Sequence, residues 1–480
     1  MNPKHFAVRT IGLLTGAGLL ATIIGGPAFA AEEAAALGRG LSLFWVAPFA
    51  GILLSIALMP LLMPHFWHHN FGKVSLFWAM AFFLPFAAIY GGDIALHEVL
   101  HTLLLEYIPF LILIFSLFVI AGGIYVQGYF VGSPATNTGL LAFGTLIASF
   151  IGTTGASMVM VRPMIRANHH RKRNVHVFVF FIFLVSNIGG SLTPLGDPPL
   201  FLGFLKGVEF AWTVEHMFAP MMLASALLLG LFYVIDAALF RSERGHIDSD
   251  AAPAAVRIHG IQNILFLVLV VVAVLMSGIW KPGMDLHILG QDLALEGVVR
   301  DLILLALAGL SIVTTPKKIR VENAFTWAPI REVATLFLSI FLTIIPAIAI
   351  LRAGHEGALA GLVALVTHSD GSPNNMMYFW LTGGLSSFLD NAPTYLVFFE
   401  LAGGDAQLLM GPLVTTLLAI SAGAVFMGAN TYIGNAPNFM VKAICEENAI
   451  KMPSFFGYMA WSCAILLPVF VLITWVFFPA

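Results

Sequence analysis

Thr193-Pro194-Leu195-Gly196-Asp197-Pro198-Pro199-Leu200-Phe201 and Thr431-Tyr432-Ile433-Gly434-Asn435-Ala436-Pro437-Asn438-Phe439 are two readings of one pattern, set 238 residues apart. Ser149-Phe150-Ile151 and Ser387-Phe388-Leu389 recur at the same spacing. One such match carries little weight. Two at one offset, each inside an apolar run interrupted by Gly, Pro or polar residues, mark an internal repeat. Interrupted hydrophobic segments in corresponding positions of two halves point to the binding site of a secondary transporter.

The chain around these motifs is suited to lipid. Of its 480 residues, 59% are hydrophobic and 10% charged, and mean hydropathy is +0.93. A soluble domain carries about a quarter charged residues. A net charge of −3 excludes a nucleic-acid binder working through bulk charge. The two cysteines, Cys445 and Cys463, exclude a disulfide framework and a tetrahedral zinc site. No glycine-rich phosphate loop of the P-loop type occurs, which argues against ATP-driven transport. The chain is expected to be no enzyme and to need no cofactor.

Apolar runs of bilayer-spanning length, about 20 residues, lie near 42–63, 72–90, 108–127, 215–239, 260–280, 299–315, 331–351 and 455–478. Two more, 174–200 and 411–438, are broken by Gly, Pro and polar residues. The runs 138–165 and 376–402 are apolar at both ends with a polar centre, and each reads as a re-entrant hairpin. Residues 1–30 read as a signal peptide or a first membrane helix, with a basic start at Lys4 and Arg9 and an Ala28-Phe29-Ala30 site. Counting from a non-cytoplasmic residue 31 places 15 basic residues inside and 5 outside, in keeping with the positive-inside rule. Five crossings separate the two hairpins, so the halves are inverted relative to each other. The expected fold is an all-α membrane protein of two inverted repeats of five transmembrane helices, each with a re-entrant hairpin and a broken helix. The repeats fall at 40–240 and 259–480, joined by a cytoplasmic linker at 241–258.

The breaks hold the candidate site. The first hairpin tip offers Thr153, Thr154 and Ser157, and the second Asp390, Asn391 and Thr394. The broken crossings offer Asn187, Ser191, Thr193 and Asp197, then Asn430, Thr431 and Asn435. Non-helical backbone at membrane depth is tolerated where it lines a protected cavity, and it frees carbonyl oxygens. Hydroxyl, amide and carboxylate oxygens suit small hard cations. A helix N-terminus at the same break could instead hold an anion. A membrane carboxylate costs about 2.5–3.5 kcal/mol on insertion scales and is functional by default. Asp197 and Asp390 therefore favour a cation or a proton over an anion. Glu106 and Glu332, which open two crossings, form a second possible proton-carrying pair. His97-Glu98-Val99-Leu100-His101 fits the zincin pattern H-E-x-x-H, but no third ligand follows, and an amphipathic helix at the outer interface is the expected reading.

Ser186-Asn187-Ile188-Gly189-Gly190-Ser191 through Pro199, Leu389-Asp390-Asn391-Ala392-Pro393-Thr394 and Gly428-Ala429-Asn430 through Asn438 resemble the ion transporter superfamily. Within it the chain is similar to sodium/proton antiporters of the NhaD and NhaE type, often labelled "putative citrate transporters", over roughly 40–475. The resemblance implies two inverted repeats and a homodimer. In related dicarboxylate carriers the hairpin tips carry Ser-Asn-Thr. Here they read Thr153-Thr154-Gly155 and Asp390 to Thr394, which weakens a dicarboxylate reading.

The expected function is sodium/proton exchange across a bacterial inner membrane by a multi-pass protein. Its partners would be sodium, protons and the lipid bilayer. Sodium, as substrate, is expected at Asp390, Asn391 and Thr431, with Asp197 in a modulating role. Cation-coupled transport of citrate or another carboxylate is the alternative.

Overall fold

Backbone polar groups in lipid must be paired within the protein, which makes helices the outcome for apolar runs of this length. The computed structural model describes residues 37–243 and 254–479, which form helices and two small two-stranded sheets. The expected signal peptide or first helix at 1–30 lies outside the described residues, as do residues 244–253 of the expected linker.

The chain first builds α1 (Ala47–Leu62), α2 (Pro64–Tyr90), α3 (Gly92–His101), α4 (Ile108–Ala121), β1 (Tyr125–Tyr129), α5 (Pro134–Ile151), α6 (Thr153–Asn168), α7 (Val175–Leu184), α8 (Pro198–Leu205) and α9 (Phe210–Glu243). There follow β2 (Ala254–His259), α10 (Gln262–Ile279), β3 (Asp285–Ile288), β4 (Gln291–Ala294), α11 (Leu295–Thr314), α12 (Ala328–Thr343) and α13 (Ile345–Arg352). The chain closes with α14 (Asn375–Ser386), α15 (Asn391–Leu401), α16 (Val414–Met427), α17 (Ala436–Glu447) and α18 (Phe455–Phe477). Among the described residues, eight helical stretches are long and apolar enough to cross a membrane, and nine if α12 and α13, bent by 40°, are one span. The protein is a multi-pass, all-α membrane protein.

Two boundaries differ from the apolar pattern. The pattern leaves 64–71 as a loop, yet Pro64 opens α2 and the only break is at Met63. Proline at the first helical position costs nothing, because its missing N–H has no partner there anyway. The pattern also starts the third crossing at 108. Instead α3, a π-helical turn over Thr102–Tyr107 and α4 run together as Gly92–Ala121. The expected interfacial helix around His97 is the first part of that long stretch.

The helices pack in two groups. One holds α1 to α4 with α10 to α13, the other α5 to α9 with α14 to α18. They meet where α4 and α13 touch α6, α8 and α15. Lipid supplies no hydrophobic drive between helices, so close approach of small residues does much of the joining. At Gly423 of α16, a Cβ would come within 2.6 Å of the Phe379 carbonyl on α14. Segments expected on one side of the membrane also meet each other. β1 pairs antiparallel with β2, and Arg39 lies 2.9 Å from Glu356.

Candidate functional site

The first broken crossing stops being α-helical after Leu184 and resumes at Pro198. The second does so between Met427 and Ala436. The freed backbone is braced in a corresponding way in both, although Ser387 Oγ also lies 2.8 Å from the Gly383 carbonyl of its own helix. Ser149 Oγ donates to the Gly189 carbonyl, and Ser387 Oγ donates to the Met427 carbonyl. Thr193 Oγ1 donates to the Ser149 carbonyl and Thr431 Oγ1 to the Ser387 carbonyl. Each threonine hydroxyl also accepts an amide N–H two residues on, from Leu195 and Ile433, at 3.2 Å. All of these pairs correspond at the 238-residue offset. Unpaired backbone groups in hydrocarbon cost several kcal/mol each, which is what the serines and threonines prevent.

Asp197 and Asn435 precede α8 and α17 with the same extended backbone, φ −145° ψ 142° and φ −154° ψ 140°. Neither side chain caps its helix. A cap accepts from the second or third N–H of a helix, and Pro437 removes the second after Asn435 as Pro199 does after Asp197. The Asp197 carboxylate turns inward and is 1% exposed. There Thr153 Oγ1 donates to it at 2.9 Å, Asn435 Nδ2 at 3.1 Å, and Asn391 Nδ2 to its second oxygen. Both hairpin tips and both broken crossings thus converge on Asp197. At the first tip Gly152 has φ +79°, a backbone open to glycine, and it lets Thr153 start α6 facing Asp197.

Asp390 behaves differently. It is half-buried and caps α15 through the Ala392 N–H at 3.3 Å. Both acids line one cavity of about 60 Å³, with Thr153, Thr154, Asn435 and apolar residues of α4 and α12. No Lys, Arg or His is among its lining residues. Two buried amide oxygens of the candidate residues, Asn391 Oδ1 and Asn430 Oδ1, accept no hydrogen bond. Buried acceptors are normally paired.

The remaining candidates serve as bracing. Ser157 bonds Ser186 at 2.9 Å, Ser191 donates to the Ile188 carbonyl, and Thr394 donates to the Asp390 carbonyl. Asn187 spans the two crossings, donating to Asn438 Oδ1 at 2.7 Å and accepting from Asn435 at 3.3 Å. Thr431 accepts from the N–H groups of both Ile433 and Gly434 while donating to Ser387. Both of its lone pairs are used, so it does not offer the oxygen expected of a sodium ligand. Glu106 lies 2.6 Å from Lys206, while Glu332 is half-buried near Trp67, so these two acids are not a free pair in the cavity. Asn438, Ser149 and Ser387 were absent from the sequence-based set, although the 238-residue spacing already singled out both serines.

The H-E-x-x-H stretch is occupied otherwise. His97 Nδ1 and His101 Nδ1 each lie 3.1 Å from the side-chain amide of Gln291. Among the described residues no group of three or more His, Cys, Asp and Glu side chains could hold a metal ion.

No curated protein matches the chain. Residues 38–478 match a family described as "putative citrate transport". That match spans nearly the whole chain and includes every residue of the crossing at Asp197, and the protein therefore belongs to this family of membrane transporters.

Proposed function

We propose that the protein exchanges sodium for protons across a bacterial inner membrane, with Asp197 as the central exchanging carboxylate and Asp390 beside it. The observation that carries this reading is the cavity, which holds two carboxylates and no basic lining residue. A tricarboxylate such as citrate would enter it against two like charges. A small cation would be drawn in, and Asn391, bonded to Asp197 through its Nδ2, carries a buried Oδ1 without a partner. Sodium binds Asp197, Asp390 and Asn391 when the acids are ionised, and a proton displaces it. Differential binding of that kind lets a ligand bias a two-state carrier.

In this reading the segments 40–240 and 259–480 are inverted repeats, the hairpins α5–α6 and α14–α15 are re-entrant, and the protein works as a homodimer. The repeated bracing at one offset supports the repeats. The scheme needs no enzymatic step and no cofactor. Cation-coupled carboxylate transport is the second reading, favoured by the family description and by the helix starts that face the cavity. Everted vesicles carrying a pH-sensitive dye separate the two. Proton movement on adding sodium or lithium is expected, and a response to citrate alone would overturn the antiport reading.

A further inference from the structure

Lys206 and Glu400 stand at the far ends of the two short helices on which the site is built. Asp197 precedes the first residue of α8 and Lys206 follows its last. α15 begins with Asn391 and carries Glu400 in its last turn. The two helices pack on each other. Lys206 Nζ lies 2.6 Å from Glu106 Oε1 and 3.4 Å from Glu400 Oε1. Glu400 also takes Arg352 Nε at 2.8 Å and Nη2 at 2.9 Å. Glu106 sits in the π-helical turn before α4, and Arg352 ends α13. Both belong to the other helix group.

Two acids and two bases, with the Glu400 side chain 0% exposed, thus tie the site's helices to the flanking ones. The cluster adjoins the cavity. Phe110 and Phe201, which line it, are four and five residues from Glu106 and Lys206. That is about one helical turn, or roughly 6–7.5 Å. The residue 238 positions before Glu400 is Arg162 on α6, at the opposite end of the repeat pattern. Arg162 forms no ion pair among the described residues, and Glu447 acts on it at longer range. No ion pair matches the Glu400 cluster at that end, where Arg166 of α6 instead donates to the Val126 carbonyl of β1.

We infer that Glu106, Lys206, Glu400 and Arg352 form a clasp that seals the Asp197 cavity on the non-cytoplasmic side and parts when the cavity opens there. A compensated buried cluster is tolerable while closed. Separating its members strands buried charges unless water enters, so the opened state is a hydrated one. The packed and hydrated arrangements are two discrete states, which a ligand at Asp197 can bias through α8 and α15. The inference rests on the transport reading only in requiring that the cavity open, and its test uses no substrate.

The test uses the full chain with Cys445→Ala and Cys463→Ser and one reporter, Thr154→Cys, on the cavity wall. Labelling by a membrane-impermeant maleimide is followed from outside in spheroplasts and from the cytoplasmic face in everted vesicles. Glu106→Gln with Lys206→Gln removes one pair together and leaves Glu400 with Arg352, so no lone charge is buried. This double variant should raise the outside labelling rate at least about tenfold, the change expected when a strongly biased equilibrium loses part of its bias. Lys206→Arg keeps the charge and should label at the parent rate. An unchanged outside rate in the double variant at equal membrane abundance would overturn the clasp. So would equal increases from both faces, which report general loosening, or an increase from the cytoplasmic face alone.

Discussion

Asn391, the first residue of α15, donates its side-chain amide to the carboxylate of Asp197, the residue before α8, across 194 positions of sequence. The tip of one hairpin is thereby bonded to the break in the other half's crossing. Thr153 and Asn435 complete the ring around the same carboxylate. A change at Asp197 is felt by four elements at once, and a change at Asp390 chiefly by the first turn of α15.

The two acids should therefore respond unequally to amide replacement. In Asp197→Asn, one new N–H₂ group must face the amide donors of Asn391 or Asn435, and the exchanging charge is lost. Antiport should fall at least about tenfold, because a buried charged partner has been removed from its donors. Asp390→Asn should keep the cap on Ala392 and lower activity less. The dye assay at matched expression decides the order, and a more damaged Asp390→Asn would move the exchange to the second hairpin.

Competition between sodium and a proton fixes the sign of the pH dependence. The ligand carboxylate must be deprotonated before it binds metal, so apparent sodium affinity should rise with pH. On the acid side the rise should approach about tenfold per pH unit, levelling off once the site is ionised. Half-maximal sodium concentrations measured across pH test this, and a flat profile would argue against a shared site.

Thr193→Val and Thr431→Val remove equivalent braces and should cost similar amounts of stability. Each loses a donor to a buried carbonyl and an acceptor for the N–H two residues on, and Thr431→Val also loses an acceptor for the Gly434 N–H. A loss of about 1–2 kcal/mol is expected for each. Thermal midpoints of the purified proteins measure it. A large shift in one and none in the other would break the equivalence of the two crossings.

Membrane orientation is testable at two exposed positions. A cysteine at Arg173 should react with an impermeant thiol reagent only from the cytoplasm. One at Leu289, 68% exposed between β3 and β4, should react only from outside. Leu289 is preferable to Gln291, which is 5% exposed and held between His97 and His101. Labelling of both from one face would remove the basis for the inverted arrangement.

Glu98→Gln tests whether the H-E-x-x-H stretch does chemistry. With Gln291 bonded to both histidines, transport should stay within about twofold of wild type, the range of surface substitutions away from a site. A chelator should likewise have no effect. Sensitivity to either change would make this stretch a metal site after all.

Composition and period settled the outline of this protein before any contact was known. Long apolar runs in a chain with 10% charged residues leave little choice but membrane helices, because lipid offers backbone groups no other partner. The interruptions were equally legible, since Gly, Pro and Asn inside such runs are local signals that need no neighbours. The spacing of 238 even paired the threonines that later proved to make matching hydrogen bonds. Charge-bearing order within the site was not legible. Asp197 and Asp390 look alike in one dimension, and only the folded chain shows that the first turns inward to three side-chain donors while the second caps α15. Thr431 looked like a ligand until the structure showed its oxygen already engaged. Glu106, Lys206, Arg352 and Glu400 lie up to 294 residues apart in sequence, so nothing local announces that they meet. Periodicity and breaks are properties of a segment and its solvent. Which carboxylate is ringed by donors, and which is paired with a base, depends on the tertiary packing that brings distant helices into contact.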